Sequence, residues 1–77
     1  MTDVYLTRVD ASQNMARYYR MTVQPTLFGE WSVVREWGRI GRGGQVRIVS
    51  YPSESGAAIA VTAIERQKSR RGYCARN

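Results

Sequence analysis

The pattern of apolar and polar residues divides the chain into four strand-like segments followed by one helix-like segment. Residues 4–9 (VYLTRV) are rich in β-branched and aromatic side chains, and residues 16–24 (ARYYRMTVQ) alternate between two faces. Residues 31–40 and 45–51 have the same β-forming composition, and short loops join the four segments. The pattern therefore predicts a small sheet of four or five antiparallel strands.

The last third of the chain changes to a helical period. From Ala57 to Ile64 the apolar residues recur at the spacing of one helical face. Ser53 is a suitable N-cap for this helix, and Gly72 is suited to the position just after its end. We therefore predict an α+β fold, in which residues 1–77 form one domain and a C-terminal amphipathic helix packs on one face of the sheet.

Alternation within the strands predicts which residues the helix covers. We expect five apolar side chains of the second and fourth strands to meet the helix: Tyr19, Met21, Val23, Val46 and Ile48. The opposite face then carries Arg20 and Arg47, and simple alternation in the third strand adds Trp37 and Arg39 to it. A bulge at Gly38 would shift this last assignment by one residue.

The distribution of charge adds a candidate binding surface to this fold. The 77 residues include twelve basic and six acidic side chains, a net charge of +6, and eleven of the twelve basic residues are arginine. The planar guanidinium group suits phosphate and stacks on aromatic rings. Basic residues concentrate in the segments 35–47 and 66–76. An anionic polymer is the natural partner for such a chain, although a solvated surface can have the same composition.

The composition also argues against several kinds of site. The chain has no histidine and a single cysteine, Cys74, so we expect neither an intramolecular disulfide nor a zinc site. Carboxylates and nucleophiles show no catalytic grouping, which predicts a protein without cofactor, metal or enzymatic activity. The absence of a signal-peptide pattern and of a long apolar run predicts a cytoplasmic protein without a membrane partner, associated with the nucleoid if it is bacterial.

The segment REWGRIGRGGQ, residues 35–45, combines a tryptophan and arginines with a glycine-rich turn. Its WGR tripeptide starts at Trp37 and is followed by Gly41 and by the pair Gly44-Gln45, while Arg17-Tyr18-Tyr19 precedes it in the second strand. In this order and spacing, the residues resemble the WGR domain. That domain occurs beside the catalytic region of some poly(ADP-ribose) polymerases and as short bacterial proteins. The resemblance covers nearly the whole chain.

The resemblance implies a small antiparallel sheet with one helix, and it implies nucleic-acid binding, with DNA favoured over RNA. In the polymerases the motif tryptophan packs near a terminal sugar and the motif arginine makes polar contacts, which implies these roles for Trp37 and Arg39. With the remaining basic residues added, the candidate nucleic-acid-binding residues are Trp37, Arg39, Arg42, Arg17, Arg20, Arg47, Arg70 and Arg71. We expect a monomer that prefers DNA ends, nicks or unpaired segments and has weak sequence preference.

Simpler interpretations remain open at each of these positions. Trp37 can be a half-buried core residue, and Arg42 can be a solvated loop charge. Gly41, Gly43 and Gly44 are explained as turn residues with positive φ, and basic residues near a helix C-terminus complement its dipole. The alternative function is a protein–protein interaction module that binds an acidic partner or self-associates through an exposed sheet edge.

Overall fold

The computed structural model describes residues 3–75, which form a five-stranded antiparallel sheet with one helix packed on it. The sheet order is β4-β3-β2-β1-β5. The strands and the helix have these bounds: β1 Asp3–Asp10, β2 Met15–Pro25, β3 Trp31–Arg39, β4 Gln45–Tyr51, α1 Glu54–Arg70 and β5 Cys74–Ala75. The predicted α+β fold is confirmed, and the fifth strand is the two-residue β5 beside β1.

Local capping explains the tight turn between β1 and β2. Asp10 accepts a hydrogen bond from the Ser12 backbone N–H at 3.1 Å, and Asn14 has a left-handed backbone with φ 53°. Asparagine tolerates this conformation better than most residues do. The turn therefore returns the chain antiparallel to β1 and brings Asn14 next to the end of the sheet where β3 finishes.

The helix begins and ends where the sequence predicted. Ser53 Oγ accepts a hydrogen bond from the Gly56 N–H at 3.1 Å, and Gly72 follows the last turn with φ +96°. The apolar stripe of α1 packs on the sheet through the buried Ala57 and Val61. The fully packed core consists of Leu6, Tyr19, Met21, Val23, Val33, Ala57 and Val61. In residues 3–75, no helix has the length and apolar character needed to cross a lipid bilayer.

The predicted face of Trp37 and Arg39 was wrong. The β2–β3 register pairs Tyr19 with Trp37 and Arg17 with Arg39, and directly paired residues of a sheet share a face. Trp37 and Arg39 therefore lie on the helix side, with the buried Tyr19. The pairing is continuous through Gly38, so no bulge shifts the alternation of β3. The error was in choosing which of its two faces the helix covers.

The predicted orientation of β4 was also wrong. Val46 and Ile48 lie on the side away from the helix, where they are 58% and 62% exposed. Arg47 pairs with Arg35 and lies on the helix side. Because β4 has apolar residues at both phases of its alternation, only its pairing with β3 decides which phase faces the helix.

Candidate nucleic-acid interface

Three arginines form a row across the helix-side face at one end of the sheet. Arg8 of β1 lies directly opposite Arg17 of β2, which in turn lies opposite Arg39 of β3. Like charges that face each other across neighbouring strands are destabilising. We therefore expect the row to lower the stability of the fold.

The end of α1 completes a cavity around this row. The cavity has a volume of about 480 Å³. It is lined by Arg8, Arg17, Tyr19, Trp37, Gly38, Arg39, Lys68, Arg71 and Tyr73. Five of these side chains are cationic and none is a carboxylate, so the cavity attracts anions strongly.

Stacked aromatic rings form the floor of the cavity. The rings of Trp37 and Tyr19 lie 5.7 Å apart with an interplanar angle of 14°, and Tyr73 meets Tyr19 edge-on at 6.4 Å. Trp37 is only half-buried. The two interpretations of Trp37 are therefore compatible, because its ring packs against the core and also lines the cavity.

The neighbouring turn orients the guanidinium group of Arg39. Its Nη1 donates to the Asn14 carbonyl oxygen at 3.2 Å, and its Nη2 donates to Asn14 Oδ1 at 3.4 Å. Arginine has five N–H donors, so further donors stay available to a ligand. Because Arg39 is already held in this way, binding an anion would cost its side chain less conformational entropy.

The glycine-rich loop after β3 packs tightly against the strand that carries Trp37. Gly41 has the predicted positive φ, +87°, whereas Gly43 and Gly44 are not among the positive-φ glycines of the described residues. The prediction was thus wrong for these two. Gly44 is required for a different reason, because a Cβ there would collide with the carbonyl oxygen of Trp37 and lie 2.7 Å from Tyr18 Oη.

The acid next to the motif is held on the opposite side of the sheet. Tyr18 Oη donates a hydrogen bond to Glu36 Oε2 at 2.8 Å. This hydrogen bond is the main cause of the raised pKa of the Tyr18 phenol, and burial is the second cause. Glu36 pairs with Arg20 and therefore lies on the face opposite the five cations of the cavity.

The cavity brings together four of the predicted residues. Trp37, Arg39, Arg17 and Arg71 all contribute to its lining. They come from β2, β3 and the end of α1, so their grouping depends on the docking of the helix on the sheet.

The other four predicted residues lie elsewhere. Arg20 is on the opposite face, with its Nε 3.7 Å from Asp3 Oδ1. Arg47 lines a separate groove next to Arg35. Arg42, in the exposed loop, and Arg70, in the exposed last turn of α1, are not part of the cavity lining within residues 3–75.

Sequence reasoning missed two cations of the cavity. Arg8 occupies the same strand phase as Val4 and Leu6, and Lys68 continues the helical stripe of Val61 and Ile64. In each case a basic residue stands at an apolar position near the end of its element. This signal was available, because a charged residue at a core-facing phase is unusual in a packed domain.

Comparison with known proteins identifies the family of the chain. Residues 2–77 match the WGR domain family. The chain is also 44% identical over 70 residues to "Uncharacterized protein y4dW" of Sinorhizobium fredii, and the match covers 91% of this chain and 34% of that protein. No solved structure gives a significant match. The chain thus spans about a third of the length of this bacterial relative, and the family match over residues 2–77 shows that it belongs to the WGR domain family.

Proposed function

We propose that this chain is a non-enzymatic nucleic-acid-binding domain that binds DNA at ends, nicks or unpaired segments. The WGR domain is a nucleic-acid-binding type of domain. The observation that carries the proposal is the cavity in which five cations surround the stacked rings of Trp37 and Tyr19. In a bacterium, such a protein would be associated with the nucleoid.

Phosphate contacts would supply most of the affinity. If about four phosphates are neutralised, counterion release predicts that log K falls with log[salt] at a slope of about −3 to −4. Within residues 3–75, the lining has no amide or carboxylate side chain, so its arginines and Lys68 are the groups best suited to reading a base edge. We therefore expect weak sequence preference.

The position of Trp37 favours an end or an unpaired segment over a continuous duplex. Its ring is half-buried at the floor of a cavity bordered by α1, so a ligand must enter to reach it. A terminal or unpaired nucleotide can enter and stack, which is worth about 1–3 kcal/mol per base. A base pair within an intact duplex cannot do so without unstacking.

Fluorescence anisotropy with labelled DNA tests this proposal. The ligands are a blunt 5′-phosphorylated duplex, a nicked duplex, an end-capped duplex and a single strand, each measured over a range of salt concentrations. Two variants of equal charge are compared: Arg17→Gln/Arg39→Gln inside the cavity and Arg20→Gln/Arg47→Gln outside it. Thermal unfolding of both variants controls for loss of fold.

We expect the wild type and Arg20→Gln/Arg47→Gln to prefer open ends over the end-capped duplex. In Arg17→Gln/Arg39→Gln this preference should disappear and the salt slope should become shallower by about 2. Equal losses in the two variants would attribute binding to net charge alone and refute the proposed site.

A protein-interaction module is a second candidate, favoured by the tip of the β2–β3 hairpin. Leu27 and Phe28 are 98% and 88% exposed there. The tip is ordered by Thr26, whose Oγ1 accepts hydrogen bonds from the Phe28 and Glu30 backbone N–H groups at 3.2 Å and 3.1 Å. Exposed neighbouring apolar side chains are typical of a protein contact.

Pull-down from cell extract, with and without nuclease, separates the two candidates. A protein that is captured even after nuclease treatment, but not by the variant Leu27→Ser/Phe28→Ser, would support the interaction module. If every captured protein disappears with nuclease, the captured proteins were bridged by nucleic acid.

A further inference from the structure

Lys68 differs chemically from every other basic residue of the chain. It is the single lysine among twelve basic residues. Arginine stays protonated in proteins, whereas a lysine amine that loses its proton is a nucleophile towards carbonyl groups. Lys68 therefore offers this cavity a chemistry that its arginines do not have.

The side chain of Lys68 lines the cavity, where its amine lies beside two aromatic rings. Its Nζ lies 4.5 Å from the ring centroid of Tyr19 and 5.7 Å from that of Tyr73, in the wall of the cavity. Among residues 3–75 the recorded ion pair joins Arg20 and Asp3, so no carboxylate pairs with Lys68 there. Burial, together with the charges of Arg71 and Arg35, lowers the pKa of Lys68 and raises its neutral fraction.

A ligand suited to both the amine and the arginines carries an aldehyde next to phosphate groups. The deoxyribose of an abasic site in DNA has this chemistry, because its open-chain form has an aldehyde at C1′ between two phosphates. Because its base is missing, this nucleotide needs less unstacking than an intact one to enter the cavity that Trp37 lines. We propose that Lys68 captures abasic DNA by forming an imine with this aldehyde. This inference rests on the proposed function.

The step needs no reagent beyond the two partners and water. The neutral amine of Lys68 attacks C1′, its nitrogen transfers a proton to the developing alkoxide, and the resulting carbinolamine loses one water molecule to give the imine. Addition of water reverses the reaction and releases Lys68. Strand cleavage would also require a base to remove a C2′ proton, and the residues among 3–75 that line the cavity include no carboxylate or histidine for this. We therefore expect capture without efficient cleavage.

Reductive trapping tests the inference directly. A labelled duplex with one abasic site is incubated with the protein and cyanoborohydride, which reduces the imine to a stable amine, and the products are separated on a denaturing gel. The matched duplex contains a tetrahydrofuran residue, which has the same gap but no aldehyde. We expect a covalent adduct with the abasic duplex alone and little shortening of the DNA strand.

Two variants of unchanged charge test the position of the amine. Lys68→Arg removes it, and Lys68→Arg/Arg70→Lys moves it to an exposed residue outside the cavity. In both we expect the adduct to fall to the background set by the amino terminus. Anisotropy with the tetrahydrofuran duplex measures the DNA affinity of each variant separately, and the adducts are compared at protein concentrations that give equal occupancy of the DNA.

Three results would overturn the inference or its basis. An equal adduct in Lys68→Arg would show that another amine reacts, and an equal adduct in Lys68→Arg/Arg70→Lys would show that the position of the lysine is irrelevant. A wild-type protein that binds the tetrahydrofuran duplex but forms no adduct would refute imine formation and leave the proposed function intact. Failure to bind any of the duplexes would refute the proposed function itself, and the inference with it.

Discussion

The ring of Trp37 meets two environments at the same time. One side stacks on the buried Tyr19 at 5.7 Å, while the half-buried remainder borders the basic cavity. We expect Trp37→Ala to lower the free energy of unfolding by about 2 kcal/mol, between the values for an exposed and a fully buried ring. Denaturant unfolding measures this, with Trp37→Phe as a milder control. A loss below about 0.5 kcal/mol would contradict the packing on Tyr19.

The hydrogen bond from Tyr18 to Glu36 has a consequence at alkaline pH. It raises the pKa of Tyr18 above the ordinary value of 10.0, and burial raises that of Tyr19. Because these phenols ionise first in the unfolded chain, their contribution to stability is complete below pH 10.0 and is lost as the pH rises through the folded-state pKa. We expect the free energy of unfolding to fall as the pH rises above 10.0.

Comparison with Tyr18→Phe isolates the Tyr18 contribution. Lys68 has an effect of opposite sign, because its lowered pKa makes stability rise as the pH approaches the ordinary lysine value of 10.5. The wild type and Tyr18→Phe share this Lys68 effect, so it cancels when the free energy of unfolding of one is subtracted from that of the other. We expect a shallower alkaline decline for Tyr18→Phe in denaturant unfolding across pH. Identical declines would mean that the hydrogen bond to Glu36 does not perturb Tyr18.

At the scale of the element, the loop between β3 and β4 depends on close approach at one glycine. A Cβ on Gly44 would collide with the Trp37 carbonyl oxygen, whereas a Cβ on Gly43 meets nothing within 4 Å. We expect Gly44→Ala to cost about 2 kcal/mol of unfolding free energy and Gly43→Ala to change it by less than about 0.5 kcal/mol. Thermal or denaturant unfolding of the two variants checks this. Equal effects would exclude steric contact as the reason for Gly44.

At the scale of the whole molecule, we expect the row of arginines to lower the stability of the fold while it serves the proposed binding of DNA. Arg17 lies between Arg8 and Arg39 on the neighbouring strands. Removing the central charge should relieve repulsion, so we expect Arg17→Gln to raise the free energy of unfolding by about 0.5 kcal/mol at low salt. High salt should abolish the gain, because it screens exposed charges. DNA affinity should fall in the same variant.

Arg20→Gln is the matched control for this prediction. Arg20 lies on the other face beside Asp3, so removing its charge relieves no repulsion within the row. Denaturant unfolding at low and high salt compares the two variants. A stabilisation of the same size in Arg20→Gln would attribute the effect to the net charge of +6 and not to the row.

The sequence by itself determined the elements and the family resemblance. Ser53 and Gly72 marked the ends of the helix, and alternation marked the strands, because capping and periodicity depend only on neighbouring residues. The segment around Trp37 and Arg39 was sufficient for the resemblance to the WGR domain, which the family match then confirmed. Four of the nine residues that line the cavity could thus be named before the fold was known.

Only the tertiary structure decided which faces meet and which charges converge. The segment QVRIVSY of β4 has apolar residues at both phases, so its pairing with β3 had to determine that Val46 and Ile48 point away from the helix. Arg8 and Lys68 join the cavity through strand register and helix docking, and Arg20 is separated from it by the thickness of the sheet. These relations join residues that are distant in the chain. They depend on how complete elements pack, which local patterns of residues do not encode.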